Sequence, residues 1–146
     1  GVLYAAAAGI GAILAGGKPA HADALYSFGK GIGMAFQIQD DILDLMAPAE
    51  VSGKDRASDL REGKKTLISI KARERGFDLA PFQRPLTNTE IDTVIRHLEE
   101  LGVLAEVRDT ARNLISTGKQ RIGILPASEE KKLLMSVADH FLARSY

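Results

Sequence analysis

The sequence predicts an all-α protein, and three observations carry that prediction. Apolar residues recur at three- and four-residue spacing in five or six segments, with no convincing strand among them. Ala, Leu, Ile and Gly are abundant while Trp is absent and aromatics are few, which suits helices packed closely through small residues. Helix stop signals fall where the periodicity breaks, at Gly16-Gly17, Pro48, Gly76 and Gly102. The length of 146 residues suits one domain, 1–146, around one core.

The first helix is expected over 2–14. The chain carries no charge from Gly1 to Gly17, but this stretch is shorter than the roughly 20 residues a membrane span needs and is mostly Ala and Gly. No basic region precedes it, as a signal peptide would require. It reads as a buried helix whose small face is Ala5, Ala8, Gly9, Ala12 and Gly16. Because the sequence opens at Gly1 inside an apolar run, the expectation is a piece cut from a longer polypeptide.

A long helix follows over 22–46. Gly29, Gly31 and Gly33 lie inside it, each costing roughly 0.5–1 kcal/mol relative to Ala. Three such costs imply close approach to the backbone, by a neighbouring helix or a ligand, with helix packing the preferred reading. Residues 47–65 form a loop rich in Gly and charge, and 66–75 a helix with Leu67, Ile68 and Ile70 inward. Residues 77–86 hold two prolines and read as a linker. Thr87 and Glu90 make a capping-box pattern for a helix carrying Ile91, Val94, Ile95 and Leu98. A further helix over 104–122 presents Val107, Ala111, Leu114 and Ile115. Pro126 and Ser128 restart the chain into a last helix, 129–144, with Leu133, Leu134, Val137, Phe141 and Leu142 as its face. His21, His97 and His140 show no metal-ligand spacing and read as structural or exposed.

Charge is balanced, with 19 basic and 19 acidic residues, so the chain as a whole exerts no pull on nucleic acid or an anionic membrane. There is no cysteine, which excludes disulfides and thiolate metal sites within this sequence and fits a cytoplasmic setting.

Chemistry concentrates in Phe36-Gln37-Ile38-Gln39-Asp40-Asp41-Ile42-Leu43-Asp44, at the C-terminal end of the long helix. Gln37, Asp40, Asp41 and Asp44 fall on one polar stripe. No Lys or Arg lies between Gly31 and Pro48, and the helix dipole already disfavours negative charge there. Two readings fit. One is an acidic, solvated helix face. The other is a set of oxygen ligands one turn apart, suited to a hard divalent ion, magnesium first. The following loop runs Ser52-Gly53-Lys54-Asp55-Arg56-Ala57-Ser58-Asp59-Leu60-Arg61-Glu62-Gly63-Lys64-Lys65-Thr66. Two Gly-Lys pairs flank Asp59, within reach of the stripe. This is either a surface salt-bridge network of little energetic value or a phosphate site bridged by magnesium and neutralised by lysines. It is not a P-loop, because no G-x-x-x-x-G-K-[ST] follows a strand.

Together, G-x-x-F-Q-x-x-D-D-x-x-D from Gly33 to Asp44 and G-K-x-x-x-x-D-L-x-x-G-K-x-T from Gly53 to Thr66 resemble the second aspartate-rich region of trans-isoprenyl diphosphate synthases, the group that includes farnesyl and geranylgeranyl diphosphate synthases. The flanking helices resemble the C-terminal half of such an enzyme. The resemblance implies a bundle of roughly antiparallel helices around a deep cavity, and condensation of isopentenyl diphosphate with an allylic diphosphate. It implies Mg2+ as cofactor, Asp40 as its best ligand, and Asp41 and Asp44 in support, directly or through water. Lys54 and Lys64 would contact the allylic diphosphate, Asp59 would hold metal-bound water, Gln37 would hydrogen-bond within that shell, and Phe36 would line the cavity. A homodimer of the full-length protein and a cytoplasmic setting are implied too. The sequence departs from the family at Ala57, where glycine is frequent, and at its end, where Arg144 is the one basic residue after Phe141. The first aspartate-rich motif lies outside these 146 residues, so the chain by itself is expected to be inactive. Two rival readings are a non-catalytic helical or regulatory subunit of a prenyl synthase and a class I terpene cyclase. The first has no need of intact Asp40, Asp44, Lys54 and Lys64, and the second normally carries an Asn/Ser/Glu motif that does not occur here.

Overall fold

The computed structural model describes residues 1–46 and 56–142. Among these residues every regular element is helical: α1 (Val2–Leu14), α2 (Pro19–Met46), a one-turn α3 (Ser58–Arg61), α4 (Leu67–Glu74), α5 (Asn88–Glu100), α6 (Val103–Arg121) and α7 (Glu129–Leu142), with 3-10 turns at Ala80–Phe82 and Ile122–Ile124. The all-α expectation holds. Element ends differ slightly. The long helix starts at Pro19, three residues before the expected position, because proline is favoured in the first turn, where its missing N–H has no partner to lose. None of the helices among the described residues is long and apolar enough to cross a membrane.

The described residues fall into two compact units, one taking in Gly1–Gln39 and residues 110–142, the other Asp40–Asp109. In the first unit the glycines of α2 serve helix packing. A Cβ on Gly29 would sit 2.3 Å from the Tyr4 carbonyl oxygen, and one on Gly33 would sit 2.7 Å from Gly1 Cα, so both glycines face α1. A Cβ on Gly31 would sit 2.9 Å from the Leu114 carbonyl oxygen of α6. Ala5 and Gly9 are buried on the small face of α1, whereas Gly16 is exposed and turns the chain with a φ of +68°. The remaining core of this unit is Ala24, Phe28, Ile32, Ala35, Ile38, Ala111, Ile115, Ile122 and Ala138. The outer face of α1 leaves Val2, Leu3, Ile10, Ile13 and Leu14 exposed.

The face expected for the last helix is partly wrong. Leu133 and Val137 are exposed, while Ala138 is completely buried and Leu134 and Phe141 are half-buried. One residue along a helix is a rotation of about 100°, and the small Ala138 allows the closer approach. The Lys119 ammonium lies 2.7 Å from Asp139, linking α6 to α7, and Lys131 donates to the Gly123 and Leu125 carbonyls at 3.0 and 2.7 Å.

In the second unit α5 buries Ile91, Val94, Ile95 and Leu98, as its periodicity requires, in a core with Ile42, Leu45, Ile68, Ala72, Leu79, Val103, Leu104 and Val107. Lys71 and Arg75 both reach Glu106, at 2.8 and 2.7 Å, and tie α4 to the start of α6. The capping box forms as the sequence predicts: the Glu90 N–H donates to Thr87 Oγ1 at 3.3 Å and the Thr87 N–H donates to Glu90 Oε2 at 2.8 Å. Replacing Thr87 by Ala is expected to cost about 1 kcal/mol in denaturant unfolding.

Glu90 also sets a pH dependence. The Arg84 guanidinium at 2.6 Å, together with the Thr87 donors, lowers its pKa from 4.5 to about 2. A depressed carboxylate contributes stability above its unfolded pKa and loses it as pH falls through the folded value. The melting temperatures of wild type and Glu90→Gln should therefore differ at neutral pH, converge between about 4.5 and 2, and coincide below that range. A difference that is constant with pH would show that the Glu90 charge is not what the cap uses.

Candidate functional site

The site is built where α2 ends. The last four carbonyls of a helix have no partner within it, and the chain after α2 supplies one: the Ala57 N–H donates to the Asp44 carbonyl at 2.7 Å. The next two residues donate to the Asp44 side chain. Ser58 Oγ donates to Oδ1, and the Asp59 N–H donates to Oδ2 at 2.9 Å. Three consecutive residues thus converge on one aspartate. This is possible because Ala57 takes left-handed backbone angles, φ 57° and ψ 39°, and it is the one non-glycine residue with positive φ among those described. That conformation costs an alanine about 1–2 kcal/mol. The Ala57 methyl is fully buried, at a position whose backbone angles favour glycine.

Lys64 closes the other side. Its ammonium lies 2.7 Å from Asp59 Oδ2 and 3.4 Å from Asp41 Oδ1. The hydrogen bond to Asp59 raises the lysine pKa above its ordinary value, with the Asp41 and Asp59 charges adding to it. On the lysine's side, the stabilisation is fully present below the ordinary lysine pKa and is lost as pH rises through the folded value; in acid the pairs end where the carboxylates protonate. These donors and this cation offset the cost of placing carboxylates at the negative end of a helix dipole.

The expected polar stripe is divided by this arrangement. Asp41 is buried and lies against Lys64, Asp44 is half-buried under the 57–59 donors, and Asp40 and Gln37 are exposed. Adjacent helix positions point about 100° apart, so Asp40 and Asp41 cannot share one direction. Phe36 belongs to the first unit, where its ring packs against Phe141 and Tyr4 at centroid distances of 5.3 and 6.0 Å. Lys54 lies outside the described residues. Among those described, no group of three or more Asp, Glu or His side chains stands arranged to hold a metal ion.

A cavity of about 460 Å³ opens beside this cluster. Its polar side includes Asp41, Asp44, Asp59, Lys64, Lys65 and Thr66, and its apolar side includes Leu45, Leu60, Ile68, Leu79, Val94 and Leu98. Two members of the surroundings are not evident from sequence. Ser58 carries no signal beyond being a Ser directly before Asp in a short S-D-L-R turn. Gln83, whose carboxamide packs on Gly63, comes from a segment with no periodicity at all.

Comparison with known proteins gives the family. The polyprenyl synthetase family model matches residues 1–102, and the chain belongs to that family. It is 44% identical over 146 residues to a geranylfarnesyl diphosphate synthase of Natronomonas pharaonis, covering 99% of this chain and 43% of that protein. It is 46% identical to a geranylgeranyl diphosphate synthase of Methanosarcina mazei, over 99% of this chain and 45% of that protein. Among solved structures it is similar to a geranylgeranyl pyrophosphate synthetase from Geoglobus acetivorans, with a TM-score of 0.86, 34% identity, and coverage of 99% of this chain and 44% of that one. It is also similar to a polyprenyl synthase from Caulobacter crescentus complexed with calcium and isoprenyl diphosphate, with a TM-score of 0.83, 30% identity, and coverage of 99% and 46%. The chain spans less than half the length of these relatives.

Proposed function

We propose that this chain supplies the second aspartate-rich half-site of a magnesium-dependent prenyltransferase that condenses isopentenyl diphosphate with an allylic diphosphate. The observation that carries the reading is the fixed Asp44 carboxylate sharing a cavity with the Lys64–Asp59–Asp41 cluster. Family membership and relatives named as isoprenyl diphosphate synthases support it. The calcium- and magnesium-containing isoprenyl diphosphate complexes among the similar structures support it as well.

The donor set suits magnesium. Every side-chain donor at the cluster other than lysine is an oxygen, and Asp44 keeps lone pairs beyond those that Ser58 and Asp59 use. Magnesium is characteristically held by one or two carboxylates together with waters and substrate phosphates. Asp40 and Asp44 would hold the ion, with Asp41 in support and Asp59 holding a metal-bound water. When bound, it neutralises charge that develops on the departing diphosphate. Lys64 has a third N–H beyond those directed at Asp59 and Asp41, and that donor is available for a phosphate oxygen. Lys54 is assigned the same role. Gln37 would hydrogen-bond within the ligand shell, and Phe36 would line the wall near the first carbons of the substrate. In the reaction the allylic C–O bond breaks with its electron pair leaving on the diphosphate. The isopentenyl double bond then forms the new C–C bond, and a proton is lost. The homodimer and the cytoplasmic setting rest on the resemblance and belong to the same proposal, as does inactivity of the 146-residue chain alone.

Calorimetry on the full-length protein tests the site. Asp40→Ala should abolish the magnesium-dependent part of diphosphate binding while leaving the fold intact. Binding that is unchanged in this variant would move the metal elsewhere.

A further inference from the structure

We infer that Ser58 is a positioning residue for the candidate metal site, and that its hydroxyl sets the orientation in which Asp44 meets the ion. The inference rests on the function proposed above and adds to it a residue that lies between the motif positions. Asp44 is held by three donors from three successive residues. Two of them, the N–H groups of Ala57 and Asp59, are backbone and are present whatever the side chains. Among the described residues, Ser58 Oγ is the one side-chain donor to Asp44, and a mutation can remove it.

The geometry gives the hydroxyl a specific task. The Asp59 N–H fixes Oδ2, which leaves the carboxylate free to swing about that contact. The Ser58 bond to Oδ1 removes this freedom and locks the plane of the carboxylate. A carboxylate locked in this way presents the remaining lone pair of each oxygen in a set direction. Groups of this kind behind a metal ligand typically change metal affinity 10–100-fold when removed. The left-handed turn at Ala57 has a purpose on this account, because it swings Ser58 and Asp59 back over the end of α2.

The test compares Ser58→Thr with Ser58→Val in the full-length protein. The two side chains have nearly the same shape and differ in the hydroxyl. Binding of inorganic diphosphate is measured by calorimetry across a magnesium titration, with melting temperature recorded alongside. Ser58→Thr should match wild type, and Ser58→Val should need about ten-fold more magnesium for half-maximal binding. Magnesium-independent diphosphate binding should be unchanged in both. Equal magnesium dependence in the two variants, or a weakening in Val that also appears without magnesium, would overturn the inference. Asp44→Ala separates this from failure of the underlying reading. If Asp44→Ala abolishes the magnesium dependence and Ser58→Val does not shift it, the site stands and the role of Ser58 falls. If Asp44→Ala has no effect, both fall.

Discussion

Replacing Gly29 by alanine is expected to destabilise the protein by about 2–4 kcal/mol, net of the gain in helix propensity. The added methyl would lie 2.3 Å from the Tyr4 carbonyl oxygen, 2.7 Å from its carbon and 2.9 Å from Ala5 Cα. All three are backbone atoms of α1, so no side chain can rotate away and the two helices must separate. Separation would open the packing that buries Ala5, Phe28 and Ile32. Gly11 provides the internal control. It also lies inside a helix, but among the described residues nothing stands within 4 Å of the position its Cβ would take. Gly11→Ala should therefore stabilise by about 0.5–1 kcal/mol. Thermal or denaturant unfolding of the two variants in the same background gives shifts of opposite sign. A Gly29→Ala protein that melts with its parent would remove the close approach as the basis of the α1–α2 pairing.

The second large effect is expected at Lys64, in activity. On the function proposed above, Lys64→Ala in the full-length protein should lower turnover about ten-fold or more, the scale of losing one charge that would face a leaving group. Melting temperature is recorded alongside: the partly exposed pair with Asp59 contributes about 0–1 kcal/mol, and loss of the cation beside the buried Asp41 adds to that. Lys64→Met, which keeps most of the aliphatic stem, should be as impaired as the alanine variant. A variant that turns over normally, or that loses activity only in proportion to unfolded protein, would return Lys64 to the role of a surface cation bridging Asp59 and Asp41.

What could be read from sequence, and what could not, follows from the range of the forces involved. The helices were legible because apolar spacing repeats along each of them. The Ile91, Val94, Ile95 and Leu98 face of α5 and its Thr87–Glu90 cap needed nothing beyond local residues. The glycines of α2 pointed to close packing, although which helix each would meet was not legible. Periodicity narrows a buried face but does not resolve neighbouring positions, which is why Leu133 and Val137 were expected inside where Ala138 is found. The one-turn α3 is too short to show any period. In the site, the residue types and their spacing were visible, but their division of labour was not. The buried Asp41 is reached by a lysine 23 positions later, and Asp44 is fixed by donors 13–15 positions later. No local pattern reports on contacts at that separation. The left-handed angle at Ala57 was likewise hidden, since nothing about alanine advertises it.

The contact between Gly63 and Gln83 has a practical consequence. A Cβ on Gly63 would fall 2.7–3.0 Å from the carboxamide atoms of Gln83, so the segment between α4 and α5 rests directly on the residue before Lys64. Segments of this kind are ordinarily the places to splice in tags, since surface loops tolerate insertion. Here an insertion at residue 83 would press on the lysine loop. The same contact offers an optical reporter. This chain contains no cysteine, so Gln83→Cys would carry a single thiol dye within the chain, seated beside the loop that is proposed to receive diphosphate. Its emission would register rearrangement of that loop on ligand addition without any assay of product.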